Sequence, residues 1–206
     1  MTELLVIHPV NPERRLIARA VEAMRAGALI VYPTDSCYAF GFHMGDKAPI
    51  REIRRIRQTD RKHNFTLMCR DLSEIAAYAR VDNWHYRTLR AHTPGPYTFI
   101  LRASRSVPRR LQHERRKTIG IRVPDHPVPQ ALLAELGEPF MSSTLALAGA
   151  ESPITDPDEM LAALNGDVEL IVAAGNCGIQ PTTVVDLVGD FPKVVRDGKG
   201  DTADFV

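Results

Sequence analysis

The sequence feature that most constrains the fold is the alternation of short apolar runs with amphipathic helical patterns. Residues 4–7 and 28–32 are apolar runs of strand length. Between them, from residue 16 to 24, apolar side chains recur every three or four positions, as on one buried helix face. Asn11 and Pro12 are expected to begin this helix, as its cap and first-turn proline. Such alternation favours an α/β fold, in which helices pack on the faces of a sheet.

The same kinds of pattern predict the remaining elements. Further helices are expected over residues 46–57, 83–92 and 128–136, and two more are expected to begin at Asp71 and Asp156. Further strands are expected at residues 66–69, 97–101, 118–123, 140–145, 168–172, 183–187 and 193–196. Because short strands cluster late in the chain, we expect a twisted mixed sheet with helices on its faces, formed by residues 1–206 as one domain.

Composition narrows the class of protein further. Hydrophobic residues make up 44% of the 206 positions and charged residues 25%, which is enough apolar area for a packed core. No apolar run reaches the length of about 18 residues that spans a membrane, and the first residues lack the features of a secretion signal. We therefore expect a cytoplasmic protein with no membrane partner. Cys37, Cys69 and Cys177 lie far apart without metal-ligand spacing, so no metal site is predicted.

Charge is distributed unevenly along the chain. Residues 51–122 contain 18 Lys and Arg against 6 Asp and Glu, whereas the rest of the chain contains 8 against 19. Basic side chains on solvated helix faces would account for part of this asymmetry. Their concentration in one central segment nevertheless favours a basic surface for an anionic partner.

Three places in the chain carry residues suited to binding an anion. The loop of residues 33–36 follows a buried strand, where α/β sheets place ligands, although the same residues are also common in ordinary turns. Arg55 and Arg57 lie near a helix end, where they would grip phosphate oxygens or simply complement the helix dipole. Arg122 lies in an apolar strand and therefore needs an anion or an acidic partner.

Hydroxyl side chains cluster at residues 142–144 and 182–183, and Arg196 ends a predicted strand. Each signal is weak alone, since hydroxyl residues are common in strands. The sequence contains no Walker lysine motif, no Gly-x-Gly-x-x-Gly after a strand and no evident Ser/His/Asp arrangement. The common nucleotide-binding folds and serine hydrolases are therefore not indicated.

Five segments taken in order resemble the signatures of the YrdC/TsaC threonylcarbamoyl-adenylate synthase family, in details most like its YciO branch. They are residues 33–41 (PTDSCYAFG), 55–57 (RIR), 93–98 (TPGPYT), 119–124 (IGIRVP) and 181–186 (PTTVVD). The resemblance spans nearly the whole chain, and several linked motifs in order are more specific than any one of them. It implies a YrdC-like mixed sheet with a central, basic, concave cleft.

The resemblance also implies an activity. Enzymes of this family combine L-threonine, bicarbonate and ATP, with Mg²⁺, into threonylcarbamoyl-AMP and pyrophosphate, for threonylcarbamoyl modification of tRNA adenosine. Carried over by position, it implies substrate-binding roles for Thr34, Thr118, Arg122 and Thr183. It likewise implies roles in binding ATP and its phosphates for Arg55, Arg57, Ser142, Thr144 and Arg196.

The sequence departs from the family pattern at three points. Arg55 replaces the lysine of a Lys-x-Arg pair, and a guanidinium fork is not equivalent to an ammonium point charge. Residues 58–65 form a longer basic loop than the family usually has. The Ser-x-Asn-x-Ser-Gly segment reads SSTLALAG at residues 142–149, so that Thr144 or Leu145 replaces the asparagine. Loss of one amide hydrogen bond is worth about 1 kcal/mol.

These departures leave two alternatives open. The first is a non-catalytic protein that binds double-stranded RNA, tRNA or structured rRNA in the same basic cleft, as the charge of the central segment suggests. The second is an adenylate-forming enzyme that acts on another amine or carboxylate, as the altered asparagine position suggests.

Overall fold

A computed structural model describes residues 1–59, 64–150 and 152–205. In those ranges the strands are β1 (Glu3–Val6), β2 (Ile30–Tyr32), β3 (Ala39–His43), β4 (Thr66–Met68), β5 (Tyr97–Arg102), β6 (Thr118–Arg122), β7 (Phe140–Thr144), β8 (Leu170–Ala173), β9 (Thr183–Asp186) and β10 (Lys193–Arg196). The α-helices are α1 (Arg14–Arg25), α2 (Ala48–Arg57), α3 (Leu72–Tyr78), α4 (Asn83–His92), α5 (Pro127–Leu136) and α6 (Pro157–Leu164). Short 3-10 helices lie at Arg109–Leu111 and Ala203–Phe205.

All ten strands belong to one mixed sheet. Its order is β1-β8-β2-β3-β7-β4-β6-β5-β9-β10. The β1–β8, β2–β8, β4–β6 and β5–β9 pairs are parallel, and the other neighbours are antiparallel. This arrangement confirms the predicted α/β class and mixed sheet. Among the described helices, none is long and apolar enough to cross a membrane.

The sheet separates two apolar layers. Helices α1 and α5 pack on one face, together with alternate strand residues such as Ile30 and Tyr32. Helices α2, α3, α4 and α6 contribute to the larger layer, which also contains Val31. Consecutive residues of β2 thus enter opposite layers, because side chains alternate across a strand. A strand buried on both faces reads as the continuous apolar run seen in the sequence.

Three helix starts were predicted from capping residues, and the structure has a cap at two of them. Asp71 accepts a hydrogen bond from the Glu74 N–H, and Asp156 caps α6 in the same way, as expected. The predicted start of α1 at Asn11 is wrong, since the helix begins at Arg14. The Nδ1 atom of His8 accepts the Asn11 N–H at 3.0 Å, so the segment before α1 is held as a turn instead.

Strand β3 was not predicted from the sequence. Its residues read AFGFH and are buried on both faces, without the alternation typical of a half-exposed strand. Strand β3 pairs antiparallel with both β2 and β7. It therefore forces residues 33–38 to reverse direction, and this reversal places the polar loop predicted from the sequence against the centre of the sheet.

Candidate functional site

A cavity of about 850 Å³ lies across one half of the sheet. The neighbouring strands β7, β4, β6, β5, β9 and β10 all contribute to its lining. The remaining walls come from Ser36 and Cys37 in the loop before β3, from Arg57 at the end of α2, and from residues 111–116. Side chains that are far apart in sequence meet here because the sheet order differs from the chain order.

Four arginines line this cavity. Arg57 reaches it from α2, Arg116 from the loop before β6, Arg122 from the end of β6 and Arg196 from the end of β10. Three of these had been predicted from the sequence as binding residues. Guanidinium groups are fork-shaped donors suited to phosphate and carboxylate oxygens, so this lining is suited to an anionic ligand.

Arg122 forms a buried ion pair with Asp35. The two side chains are 7% and 11% exposed, and the Nη2 atom of Arg122 donates to Oδ1 of Asp35. The sequence expectation that Arg122 needs an anion or an acidic partner is therefore met by Asp35. The Arg122 Nε and Asp35 Oδ2 atoms are buried and make no hydrogen bond to any residue that the structure describes. Arg122 thus keeps donor capacity beside the cavity.

Arg57 and Arg196 occupy a partly desolvated part of the cavity. Arg57 donates from Nη1 to the Ser143 hydroxyl. Arg196 donates from Nε and Nη2 to the Thr182 carbonyl at 3.0 and 2.7 Å. Burial lowers the pKa of both guanidinium groups, and for Arg57 the nearby charge of Arg196 lowers it further. A bound anion would stabilise the charged form of both guanidinium groups and so offset the effects of burial and of charge repulsion.

Hydroxyl groups from neighbouring strands complete the polar lining. Ser142 is buried, and its hydroxyl lies 2.6 Å from the Tyr32 hydroxyl and donates to the Phe40 carbonyl at 3.1 Å. Thr118 and Thr144 also line the cavity. Leu145 is fully buried, and its N–H bonds to the Tyr38 carbonyl. Thr144 is therefore the residue that faces the cavity at the altered asparagine segment.

Arg55 does not join the site, which corrects the expectation of a paired Arg55 and Arg57. Its guanidinium is 55% exposed and bonds to Glu52 and Asp167 on the outside of α2. Residues two apart on a helix point in different directions, which agrees with Arg55 lying outside the cavity that Arg57 lines. The resemblance to the Lys-x-Arg motif suggested the pairing, and helix geometry opposes it.

Two predicted hydroxyl residues organise loops beside the cavity and are absent from its lining. The Thr34 hydroxyl donates to the Cys37 carbonyl at 2.7 Å and accepts the Ser36 N–H at 3.1 Å. The Thr183 hydroxyl donates to the Gly200 carbonyl at 2.6 Å. Both are almost completely buried. In this geometry they position the neighbouring chain, and a direct contact with ligand stays a prediction.

Several lining residues were missed by sequence reasoning. Ser143 and Thr182 are neighbours of predicted residues, and alternation along a strand could not decide which of them faces the cavity. Arg116 has no local signal, because it depends on how residues 103–117 fold; its Nη2 atom donates to Asp186 at 2.6 Å. Cys37 also lines the cavity, and burial raises the pKa of its thiol, which disfavours the reactive thiolate.

The basic loop after α2 and the cysteines and acidic residues complete the comparison with the sequence expectations. Of the longer basic loop, residues 60–63 lie outside the described residues, whereas Asn64 and Phe65 line the cavity. Among the described residues no cluster of three or more His, Cys, Asp or Glu side chains is arranged to hold a metal ion.

Fold and cavity together define a class: an α/β protein with an arginine- and hydroxyl-lined cleft across a mixed sheet. A family model for Sua5, YciO and YrdC proteins, described as telomere recombination, matches residues 22–198. The chain belongs to this family.

Relatives and solved structures agree with this assignment. The uncharacterized protein YciO of Escherichia coli strain K12 is 52% identical over the full length of both chains, and its crystal structure matches with a TM-score of 0.96. A threonylcarbamoyl-AMP synthase of Chromohalobacter salexigens is 30% identical over 83% of this chain and 92% of its own. P. abyssi Sua5 in complex with L-threonine matches with a TM-score of 0.86, covering 96% of this chain and 58% of that one. At 22% identity, that likeness shows the fold alone.

Proposed function

We propose that this protein is a threonylcarbamoyl-AMP synthase that joins L-threonine, bicarbonate and ATP and releases pyrophosphate. The observation that carries the proposal is the convergence of Arg57, Arg122 and Arg196 with Ser142 and Thr144 on one cavity. Membership of a family that includes threonylcarbamoyl-AMP synthases at about 30% identity supports it.

The chemistry of this reaction suits an arginine-lined cavity without a protein nucleophile. The threonine amine and bicarbonate first form N-carboxythreonine, a carbamate, with loss of water. A carbamate oxygen then attacks the α-phosphorus of ATP, and the bond from that phosphorus to the bridging oxygen breaks to release pyrophosphate. Catalysis then depends on holding the two reactants in line and on stabilising phosphate charge. Fixed guanidinium groups provide that stabilisation without reorganising during the reaction.

Roles follow from position in the cavity. Arg57 and Arg196 would bind ATP phosphates, with Ser142 and Thr144 as hydroxyl donors. Arg122, whose Nε atom is buried without a described hydrogen-bond partner, would bind the threonine carboxylate. Thr118 lies at the start of the same strand and would contact the amino acid. Mg²⁺ commonly keeps several waters and is held by substrate phosphates with one or two carboxylates, so it would arrive bound to the phosphates of ATP.

The experiment is synthesis from purified components. Protein is incubated with ATP, L-threonine, bicarbonate and Mg²⁺, and both the carbamoyl adenylate and pyrophosphate are measured, the former by mass spectrometry. Product that requires all three substrates is expected. Absence of product at high enzyme concentration would refute the proposal.

The alternatives are decided in the same assay. Pyrophosphate release with another amino acid but not with threonine would identify an adenylate-forming enzyme of different specificity, as Thr144 in place of an amide permits. RNA binding in the cavity is less favoured, because Arg116 is already paired with Asp186 and the Arg122 side chain is only 7% exposed. A small, highly charged ligand suits the remaining donors better than a polymer.

A further inference from the structure

Most basic side chains of the segment 51–122 lie outside the cavity. Among the described residues of that segment, only three basic side chains line it. A second group lines two adjoining grooves that share Arg80. The members of this group are Arg80, Arg102, Arg105, Arg109 and Lys117. Five basic side chains of this segment therefore meet on a surface other than the cavity.

The more basic of the two grooves, here called the outer groove, has a volume of about 730 Å³. Its lining residues are Arg80, Ala103, Ser104, Arg105, Val107, Pro108, Arg109, Gln112 and Lys117. Four of these are cationic and none is acidic. The segment of residues 103–117 separates the outer groove from the cavity, since Leu111, His113 and Arg116 line the cavity instead. The two sites are thus distinct.

The cations of the outer groove lack the carboxylate partners that the cavity provides. Arg80, Arg105 and Arg109 are exposed, and their guanidinium groups form no ion pair with any described residue. The Lys117 ammonium donates to the backbone carbonyl of Glu114 and forms no ion pair with any described residue. Like charges in one groove repel one another, and this repulsion is relieved when a partner with repeated negative charges binds.

We propose that the outer groove binds the phosphodiester backbone of a nucleic acid. Arginine forks, together with the Ser104 hydroxyl and the Gln112 amide, are the donors that commonly contact phosphate oxygens. A protein partner is less favoured, because interface cores are apolar and the one large apolar residue of this groove, Val107, is 1% exposed. The neighbouring groove, which shares Arg80, is lined by Asp82 and Asp190 as well as by Arg102, so the purely cationic lining is confined to the outer groove.

The test measures binding of a fluorescein-labelled RNA duplex by anisotropy over a series of salt concentrations. The double variant Arg105→Glu/Arg109→Glu should bind at least about tenfold more weakly and with a shallower salt dependence, because fewer counterions are released. Arg105→Lys/Arg109→Lys keeps the charge and should bind nearly as wild type does. The matched control is Arg15→Glu/Arg51→Glu, which changes the charge equally at two exposed positions outside both sites.

Other outcomes overturn the proposal. Unchanged binding by Arg105→Glu/Arg109→Glu, or equal weakening by Arg15→Glu/Arg51→Glu, shows that the outer groove is not the site. Loss of binding in Arg57→Ala alone places the RNA in the cavity. Displacement by polyglutamate as effective as by unlabelled RNA shows recognition of acidic protein. Adenylate synthesis is measured on the same variants. Because the outer groove is distinct from the cavity, a lack of adenylate synthesis would contradict the proposed function but not RNA binding in the outer groove.

Discussion

The buried ion pair between Asp35 and Arg122 is the residue-scale feature with the largest energetic consequence. Removing one partner of such a pair leaves an uncompensated buried charge. We expect Asp35→Asn to lower the free energy of unfolding by about 3 kcal/mol, measured by urea denaturation. A conservative Asp35→Glu change should lower the free energy of unfolding by less, since the negative charge remains. Equal stability of Asp35→Asn and wild type would show that the pair contributes nothing to folding.

His126 gives the fold a dependence on pH. It caps α5, and its Nδ1 atom accepts the Val128 N–H at 3.1 Å, which requires the neutral ring. Burial lowers its pKa below the ordinary value of 6.5. The unfolded chain therefore binds more protons than the fold as the pH drops below about 6.5, so stability contributed by the neutral ring is lost as the pH falls toward the lowered pKa.

The corresponding measurement compares wild type with His126→Asn. Asparagine keeps a side-chain acceptor at the cap without titrating. The free energy of unfolding of wild type should fall more between about pH 7 and 5 than that of the variant. Parallel pH profiles would contradict the role of His126.

At the scale of single elements, α2 provides a matched pair of variants. Arg57 lies in the cavity, whereas Arg55 bonds to Glu52 and Asp167 outside it. We expect Arg57→Ala to lower kcat/KM for adenylate synthesis at least about 100-fold, the usual loss for one donor to a developing charge. Arg55→Ala should stay within about threefold of wild type, since exposed ion pairs contribute little. Equal losses in the two variants would remove Arg57 from the site.

The packing of β2 against β3 supplies a second prediction. A Cβ atom at Gly41 would lie 2.9 Å from the Cε1 atom of Tyr32, a fully buried ring whose hydroxyl contacts Ser142 in the cavity. Gly41→Ala should therefore lower the free energy of unfolding by about 1–3 kcal/mol and weaken ligand binding through the displaced ring. Calorimetric melting and a binding titration measure the two effects, and an unaltered melting temperature would argue against this contact.

At the scale of the whole molecule, the sequence predicts helices and strands better than the tertiary contacts between them. Local signals predicted α4 and the start of α6 well, because such signals act within a few residues. Strand β3 was missed, since a strand buried on both faces has no alternation to detect. Asp35 as partner of Arg122 depends on contacts 87 residues apart, which local patterns do not encode.

The charge pattern illustrates the same limit. The sequence predicted one basic cleft, and the motifs correctly included Arg57, Arg122 and Arg196 in its lining. It could not predict that residues 103–117 divide the basic side chains between the cavity and the outer groove, because that division depends on the path of a loop.

The proposed function requires that arginines and hydroxyls distant in sequence bind one phosphate-bearing ligand. A crystal structure of the protein with ATP and Mg²⁺ tests this most directly. We predict that the phosphate oxygens lie within hydrogen-bond distance of Arg57 and Arg196 and beside the Ser142–Thr144 hydroxyls. Phosphates bound elsewhere on the molecule, with these side chains left as they are in the unliganded protein, would contradict it.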